Sequence, residues 1–296
     1  MKRKSVLTLV GLMLLTALAV GQMQEQYLEV YYAQVKPEKR AEFDAINKKI
    51  VAANRKNGDE WIALETIYGT GNRISFISMR GSYADIDKGS GAFYGSLEKA
   101  YGKAATDKLF QDFNQTVIST RAEIRRRRWD LSSNVPADSA AMMKMLGEAR
   151  WLRTAVVHVK PGRIDTFEEL LKDIKAARDK AGQTSLVSQA VAGQEGTVFY
   201  VTVLENSMAG FDSVPSAQKL LGEDGYAKYL KTSSETVESS ETIISRFLPE
   251  LSNAPADVVA AAPDFWAPKP VVAAKTDTAK KSMVNAAQTT KEKSKQ

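Results

Sequence analysis

The chain has 296 residues, no cysteine, one histidine and a net charge of +6. Without cysteine it can form no disulfide, thiolate nucleophile or cysteine-held metal centre, and one histidine alone does not make a metal site. Three of the positive charges sit in Lys2-Arg3-Lys4 and the rest arise from the lysine excess beyond Ala260. The body between is close to neutral and lacks the basic footprint that nucleic acid requires.

Met1 to Gly21 reads as a secretion signal: a basic start, the apolar run Val6 to Val20, and a cleavage site at Ala17-Leu18-Ala19 or Ala19-Val20-Gly21. The competing reading is an uncleaved anchor, but the apolar run is short of the ~20 residues a spanning helix needs. The chain is therefore expected to be exported, periplasmic or extracellular, with no membrane span after cleavage.

From Tyr27 onward the chain is written twice. Val35-Lys36-Pro37 falls on Val159-Lys160-Pro161, Phe43 on Phe167, Ile50 on Ile174 and Gly69 on Gly193. After a small deletion Gly102 meets Gly222, Arg126 meets Arg246, and Leu131-Ser132 meets Leu251-Ser252. Two copies are too few for a solenoid, so a duplicated domain is expected.

Each copy predicts strand, helix, strand, strand, helix, strand. The first strand, Tyr27 to Val35 or Arg153 to Val159, stops at Lys-Pro, where proline ends pairing and opens a helix. Phe43, Ile46, Ile50 and Ala53 then recur at helical spacing, as do Phe167, Leu170, Leu171, Ile174 and Ala177. A hairpin follows: Trp61 to Tyr68 with Arg73 to Arg80, and in the copy Ser185 to Ala192 with Thr197 to Leu204, each turning through glycines. A helical region broken at Gly89, Gly91 and Gly102 comes next. The last strands are Arg121 to Trp129 and Glu241 to Leu248. The tail from Asn253 is rich in Ala, Pro, Lys, Thr and Ser and is expected to be largely disordered. Phe265-Trp266 is its one candidate for docking, and the lysines beyond suit an anionic envelope surface.

The order βαββαβ is that of a ferredoxin-like unit. Runs such as Val198 to Leu204 do not alternate, so both sheet faces should be buried. The expected architecture is α+β: two tandem ferredoxin-like βαββαβ repeats packed sheet to sheet as an intramolecular dimeric α/β barrel. Its boundaries are 1–21 leader, 22–140 first repeat, 141–253 second repeat and 254–296 tail.

With Val-Lys-Pro followed by Phe43 or Phe167, the βαββαβ order and the duplication, Tyr27 to Leu251 resembles the dimeric α/β-barrel superfamily. That superfamily includes antibiotic biosynthesis monooxygenases, NIPSNAP-type proteins and the tandem chlorite dismutase group. The resemblance implies the fold and leaves activity open, since such folds host many reactions. For a haem-binding tandem member it implies a histidine on a helix of the second repeat. Asn206 to Ser234 contains none, so no cofactor is expected.

Among candidate site residues, His158 is the sole histidine and stands where the first copy has Gln34. It reads as a general base or as a polar group at a strand end. In Arg125-Arg126-Arg127-Arg128, strand alternation puts Arg126 and Arg128 on one side and Arg125 and Arg127 with Glu123 on the other. Only Arg126 recurs, as Arg246. This pair is expected to face a cavity shared by both sheets, either bridging Glu65 or another acid, or holding a ligand carboxylate. Trp61, Glu65, Tyr32 and Tyr200 are candidates to line the same cavity. No Ser-His-Asp set, phosphate loop or calcium loop is legible. The sequence therefore favours a non-catalytic module that binds a small organic molecule or serves a structural role. A cofactor-independent monooxygenase- or isomerase-like enzyme is the alternative, and a haem-binding protein is disfavoured.

Overall fold

The computed structural model describes residues 25–267. Eight strands form a closed antiparallel barrel: β1 (Tyr27–Val35), β2 (Ile62–Tyr68), β3 (Arg73–Arg80), β4 (Val117–Arg127), β5 (Trp151–Val159), β6 (Leu186–Ala192), β7 (Thr197–Glu205) and β8 (Val237–Phe247). The order around the barrel is β1-β3-β2-β8-β5-β7-β6-β4. The two halves of the chain thus meet along two seams. At one, Leu64 pairs with Phe247 and Glu65 with Arg246; at the other, Arg126 pairs with Gln189 and Arg127 with Ser188. The expected sheet-to-sheet packing is realised as edge-to-edge closure, which leaves no strand edge unpaired. It also explains the missing alternation, because one face lies on helices and the other lines the barrel. Val198, Phe199 and Tyr200 are all buried.

The outer layer begins where Lys36 and Pro37 stop pairing and a 3-10 turn leads into α1 (Arg40–Asn54). That helix buries Phe43, Ile46, Ile50 and Val51 against the barrel. α2 (Tyr83–Tyr101) runs unbroken through Gly89 and Gly91, contrary to expectation, and only Gly102, at φ 79°, separates it from α3 (Lys103–Thr116). Gly89 serves close approach: a Cβ there would lie 2.5 Å from a nitrogen of the Arg80 guanidinium. In the second half α5 (Ile164–Lys180) buries Phe167, Leu170 and Leu171, and α6 (Ala217–Thr236) carries the matching non-helical glycine, Gly222, at φ 71°.

One barrel end is closed by elements that periodicity did not predict. α4 (Ser139–Glu148) is capped by Asp138, whose side chain accepts from the Ala141 amide at 2.8 Å. Residues 254–266, expected within the disordered tail, instead form α7 (Ala256–Ala261) and α8 (Pro263–Trp266). Their apolar side chains find a receptive surface. Val258 packs with Met142, and Trp266 meets Phe247 edge-on at 5.5 Å while its Nε1 donates to the Gly147 carbonyl at 2.8 Å. The proposed leader and the lysine-rich stretch after Trp266 fall outside the described residues, apart from Ala267.

The repeated Leu-Ser motif locks the halves together. Leu131 and Leu251 are buried. The Ser132 hydroxyl accepts from the Val187 amide at 2.8 Å and donates to the Arg128 carbonyl. The Ser252 hydroxyl accepts from the Ala63 amide at 2.9 Å and donates to the Leu248 carbonyl. Each serine therefore satisfies a backbone N–H of the other half.

Candidate functional site

Two cavities lie on opposite faces of β1 and β3. The first is the barrel interior, about 250 Å³, walled by inward residues such as Leu28, Val30, Leu64, Leu152, Leu186 and Phe247. Across its middle runs a polar cluster centred on the fully buried Glu123 carboxylate. Glu123 Oε1 accepts from the Tyr32 hydroxyl at 2.9 Å and from Arg125 Nε at 2.5 Å. Oε2 accepts from Gln194 at 2.5 Å, the Tyr200 hydroxyl at 3.1 Å and Arg121 at 3.4 Å. Arg125 also donates to the Tyr32 hydroxyl and stacks 3.3 Å from the Tyr200 ring centroid. Burial raises the pKa of both tyrosine hydroxyls above the ordinary phenol value. Burial works against the charge on Arg125, but Tyr32, Glu123 and Tyr200 outweigh it and raise its pKa. With both oxygens saturated, Glu123 has no lone pair to spare for a substrate proton.

Arg127 lines the same cavity without compensation. Its Nε is buried with no hydrogen-bond partner. Its guanidinium lies over the Trp129 ring, 5.5 Å from the centroid. Burial, reinforced by the neighbouring Arg125 charge, pushes its pKa down to about 10.

The second cavity, about 500 Å³, lies under α2 and α3 on the outer face of β1 and β3. Its walls are aromatic: Tyr31, Trp61, Phe76, Phe93, Phe110 and Phe113. These rings contact one another at tilted and edge-on angles, for example Trp61 on Phe93 at 5.8 Å and Tyr31 on Phe113 at 6.5 Å. Asn114 and Tyr94 stand at its exposed margin.

At one end Arg80 grips two carboxylates. Asp59 is held by both its oxygens, at 2.6 and 2.7 Å, whereas Glu29 is held through Oε2 alone, at 2.9 and 2.7 Å. Despite its burial, Arg80 is held above the ordinary guanidinium pKa by Asp59 and Glu29. The trio carries one net negative charge, and Glu29 Oε1 takes no hydrogen bond within it.

The sequence-derived candidates divide between these places. His158 lines the barrel cavity, as do Tyr32 and Tyr200. Gln34, at the equivalent strand position, donates to the Gly71 carbonyl at 2.7 Å and holds a turn. Trp61 lines the aromatic cavity, with its Nε1 donating to the Leu251 carbonyl at 2.8 Å. Arg126 and Arg246 do not face the barrel interior. Odd-numbered β4 residues point inward, so Arg126 and its counterpart Arg246 lie on the outer face. Arg246 pairs with Glu65 at 2.7 Å, and Arg40 of α1 completes that ion pair from the other side. Of the two readings for the repeated arginines, Arg246 takes the bridge to Glu65. Sequence reasoning missed the Arg80 trio, whose members lie on three separate segments, and it missed Arg127. For Arg127 the signal was present, since strand parity grouped it with Glu123.

No family model and no curated protein matches the sequence. Solved structures align with most of the chain. An anthrone oxidase-like protein aligns at 11% identity over 77% of this chain and 93% of its own, with a TM-score of 0.48. A monooxygenase candidate from Lactobacillus acidophilus NCFM aligns at 9% identity over 76% and 94%, with a TM-score of 0.44. The chlorite dismutase of Candidatus Nitrospira defluvii aligns at 9% identity over 76% and 92%, with a TM-score of 0.43. The closed eight-stranded barrel is itself the mixed α+β architecture that the sequence leads one to expect.

The expectation of a non-catalytic binding or structural module is corrected. The structures named are enzymes or enzyme-like by description. The ground for that expectation was the lack of a legible catalytic set, and it did not foresee that Glu29, Asp59 and Arg80 meet beside an aromatic cavity. A histidine-ligated haem does not fit the aromatic cavity: the one histidine lines the barrel, on the other face of the sheet.

Proposed function

We propose that the chain is a cofactor-independent enzyme of the oxygenase or isomerase kind, acting in the aromatic cavity on a flat, largely apolar substrate with an acidic C–H bond. The observation that carries this reading is the pairing of an aromatic cavity with a carboxylate whose Oε1 is unengaged. Glu29 is the base. Arg80, fixed by Asp59, orients it without saturating it, which leaves Oε1 to receive the substrate proton. Ring walls stack the substrate and exclude water. In this reading the amide of Asn114, which lines the same cavity, supplies the hydrogen bond to the oxygen on which the carbanion's charge delocalises.

The proton moves from substrate carbon to Glu29 Oε1. In the oxygenase outcome the carbanion passes electrons to dioxygen, so that a CH2 group and O2 become a carbonyl and water. In the isomerase outcome Glu29 returns the proton to another carbon and no oxidant is used. Oxygen uptake with anthrone as the probe tests the first outcome. Wild type should consume oxygen faster than buffer, with one quinone formed per O2, and Glu29→Gln should lose ~10²–10⁴-fold, the usual contribution of a general base. Wild-type uptake no faster than buffer would count against the oxygenase outcome.

The finer architecture belongs to the same proposal. The chain reads as a duplicated ferredoxin-like unit. The matching left-handed glycines Gly102 and Gly222 support this, as do the matching Ser132 and Ser252 locks. Export is supported by the basic-then-apolar start.

A further inference from the structure

We propose that the barrel interior is a second site, which binds a small organic monocarboxylate through Arg127. A buried guanidinium without a partner is costly unless an anion joins it. Three neighbouring guanidinium groups follow that rule: Arg80 meets Asp59 and Glu29, Arg125 meets Glu123, and Arg128 meets Asp130 and Glu168. Arg126 also has a buried Nε without a hydrogen bond, but it lies on the outer face and does not line this cavity. Unlike the first three, Arg127 meets no carboxylate. Its counterpart in the second half is Phe247, buried on the same barrel wall. An apolar side chain therefore suits the fold at this position, and the charge answers to something else.

The ligand class follows from the cavity. Four arginines line or border it, Arg73, Arg121, Arg125 and Arg127, against two acids, Glu123 and Glu241. Glu123 engages Arg121 and Arg125, and Arg73 lies over the Tyr32 ring at 5.7 Å; Arg127 is the lining arginine whose Nε is buried without a partner. Its planar fork matches the two oxygens of a carboxylate. The walls beyond are aliphatic and aromatic, from Leu28, Leu64, Leu152, Leu186 and Phe247. A volume of about 250 Å³ admits a body the size of a benzene ring or a branched chain of a few carbons. A phosphate there would have further charged oxygens facing apolar walls, whereas a monocarboxylate presents one charged end and one apolar end. This site and the aromatic cavity lie on opposite faces of the sheet, so either can fail alone.

The test is calorimetric titration of the full chain with benzoate, 4-methylpentanoate, benzyl alcohol and inorganic phosphate. Wild type should bind at least one of the two carboxylates and be stabilised by it, with benzyl alcohol and phosphate at least tenfold weaker. Arg127→Met and Arg127→Phe, the second copying Phe247, should each lose at least tenfold in that affinity. Their ligand-free melting temperatures should equal or exceed that of wild type. Failure of both carboxylates to bind wild type would overturn the proposal without recourse to a variant. Undiminished binding by a folded variant would overturn it too, as would equal binding of benzyl alcohol or phosphate.

Discussion

Glu65 shows how a single side chain reports its surroundings. Burial alone would raise its pKa, but Arg40 and Arg246 outweigh burial and hold it below the usual carboxylate range. A lowered folded-state pKa means that the group stabilises at full strength above its unfolded value, about 4.3. That contribution is lost as pH falls through the lower folded value. Glu65→Gln should therefore melt below wild type at neutral pH, and the two curves should converge as the medium is acidified below that range. A melting-temperature series against pH checks this, and a constant gap down to the acid limit would contradict it. The same residues show what sequence could resolve. Alternation sorted Arg125 and Arg127 onto the side of Glu123, and Arg126 onto the other, as observed. Alternation cannot say which side is the inside of a barrel, because that depends on where the helices pack. The recurrence of Arg126 as Arg246 pointed to the wrong face: both lie on the outer side of the barrel, where Arg246 meets Glu65 and Arg40 approaches the same carboxylate, while the Nε of Arg126 is buried without a partner.

Among elements, the strand ends after β4 and β8 matter more than their length suggests. The hydroxyls of Ser132 and Ser252 each accept from a buried backbone N–H of the opposite half. Removing either leaves that donor without a partner, at a cost of about 1–3 kcal/mol. Ser132→Ala and Ser252→Ala should each lower chemical-denaturation stability by that amount. The double variant should be close to additive, because the two locks share no partner. A loss below about 0.5 kcal/mol in both would show that the repeated serines are incidental. The strands and first helices were readable because apolar spacing and the Lys-Pro stops are local signals. The unbroken α2 was not, since Gly89 looks like a helix break until Arg80 is seen against it. α7 and α8 were hidden for a similar reason: Val258, Phe265 and Trp266 are too few to fold alone and fold because the barrel end offers Met142 and Phe247.

At the scale of the whole molecule, closure of the barrel makes the two halves depend on each other. Each half alone would expose β-edges and the apolar barrel lining. Residues 22–140 and 141–253, expressed apart, should be insoluble or should self-associate. A soluble monomeric half with a cooperative melt would contradict the closed-barrel account. The same closure sets β1 between two cavities of opposite character, one with an unpaired cation and one with an excess carboxylate. The eight strands were legible in the sequence, but the Glu29–Asp59–Arg80 trio was not. Glu29, Asp59 and Arg80 come from β1, the loop before β2 and the end of β3, and no spacing rule joins them.

Proton abstraction by Glu29 is the step that the oxygenase and isomerase outcomes share, so it is the claim to test first. The direct measurement is exchange of solvent deuterium into the acidic carbon of anthrone, followed by mass spectrometry under nitrogen so that oxygen chemistry does not intervene. Wild type should accelerate exchange over buffer by at least a hundredfold. Glu29→Gln should fall back toward the buffer rate while keeping its melting temperature. Exchange by wild type at the buffer rate, or full exchange by Glu29→Gln, would contradict the account.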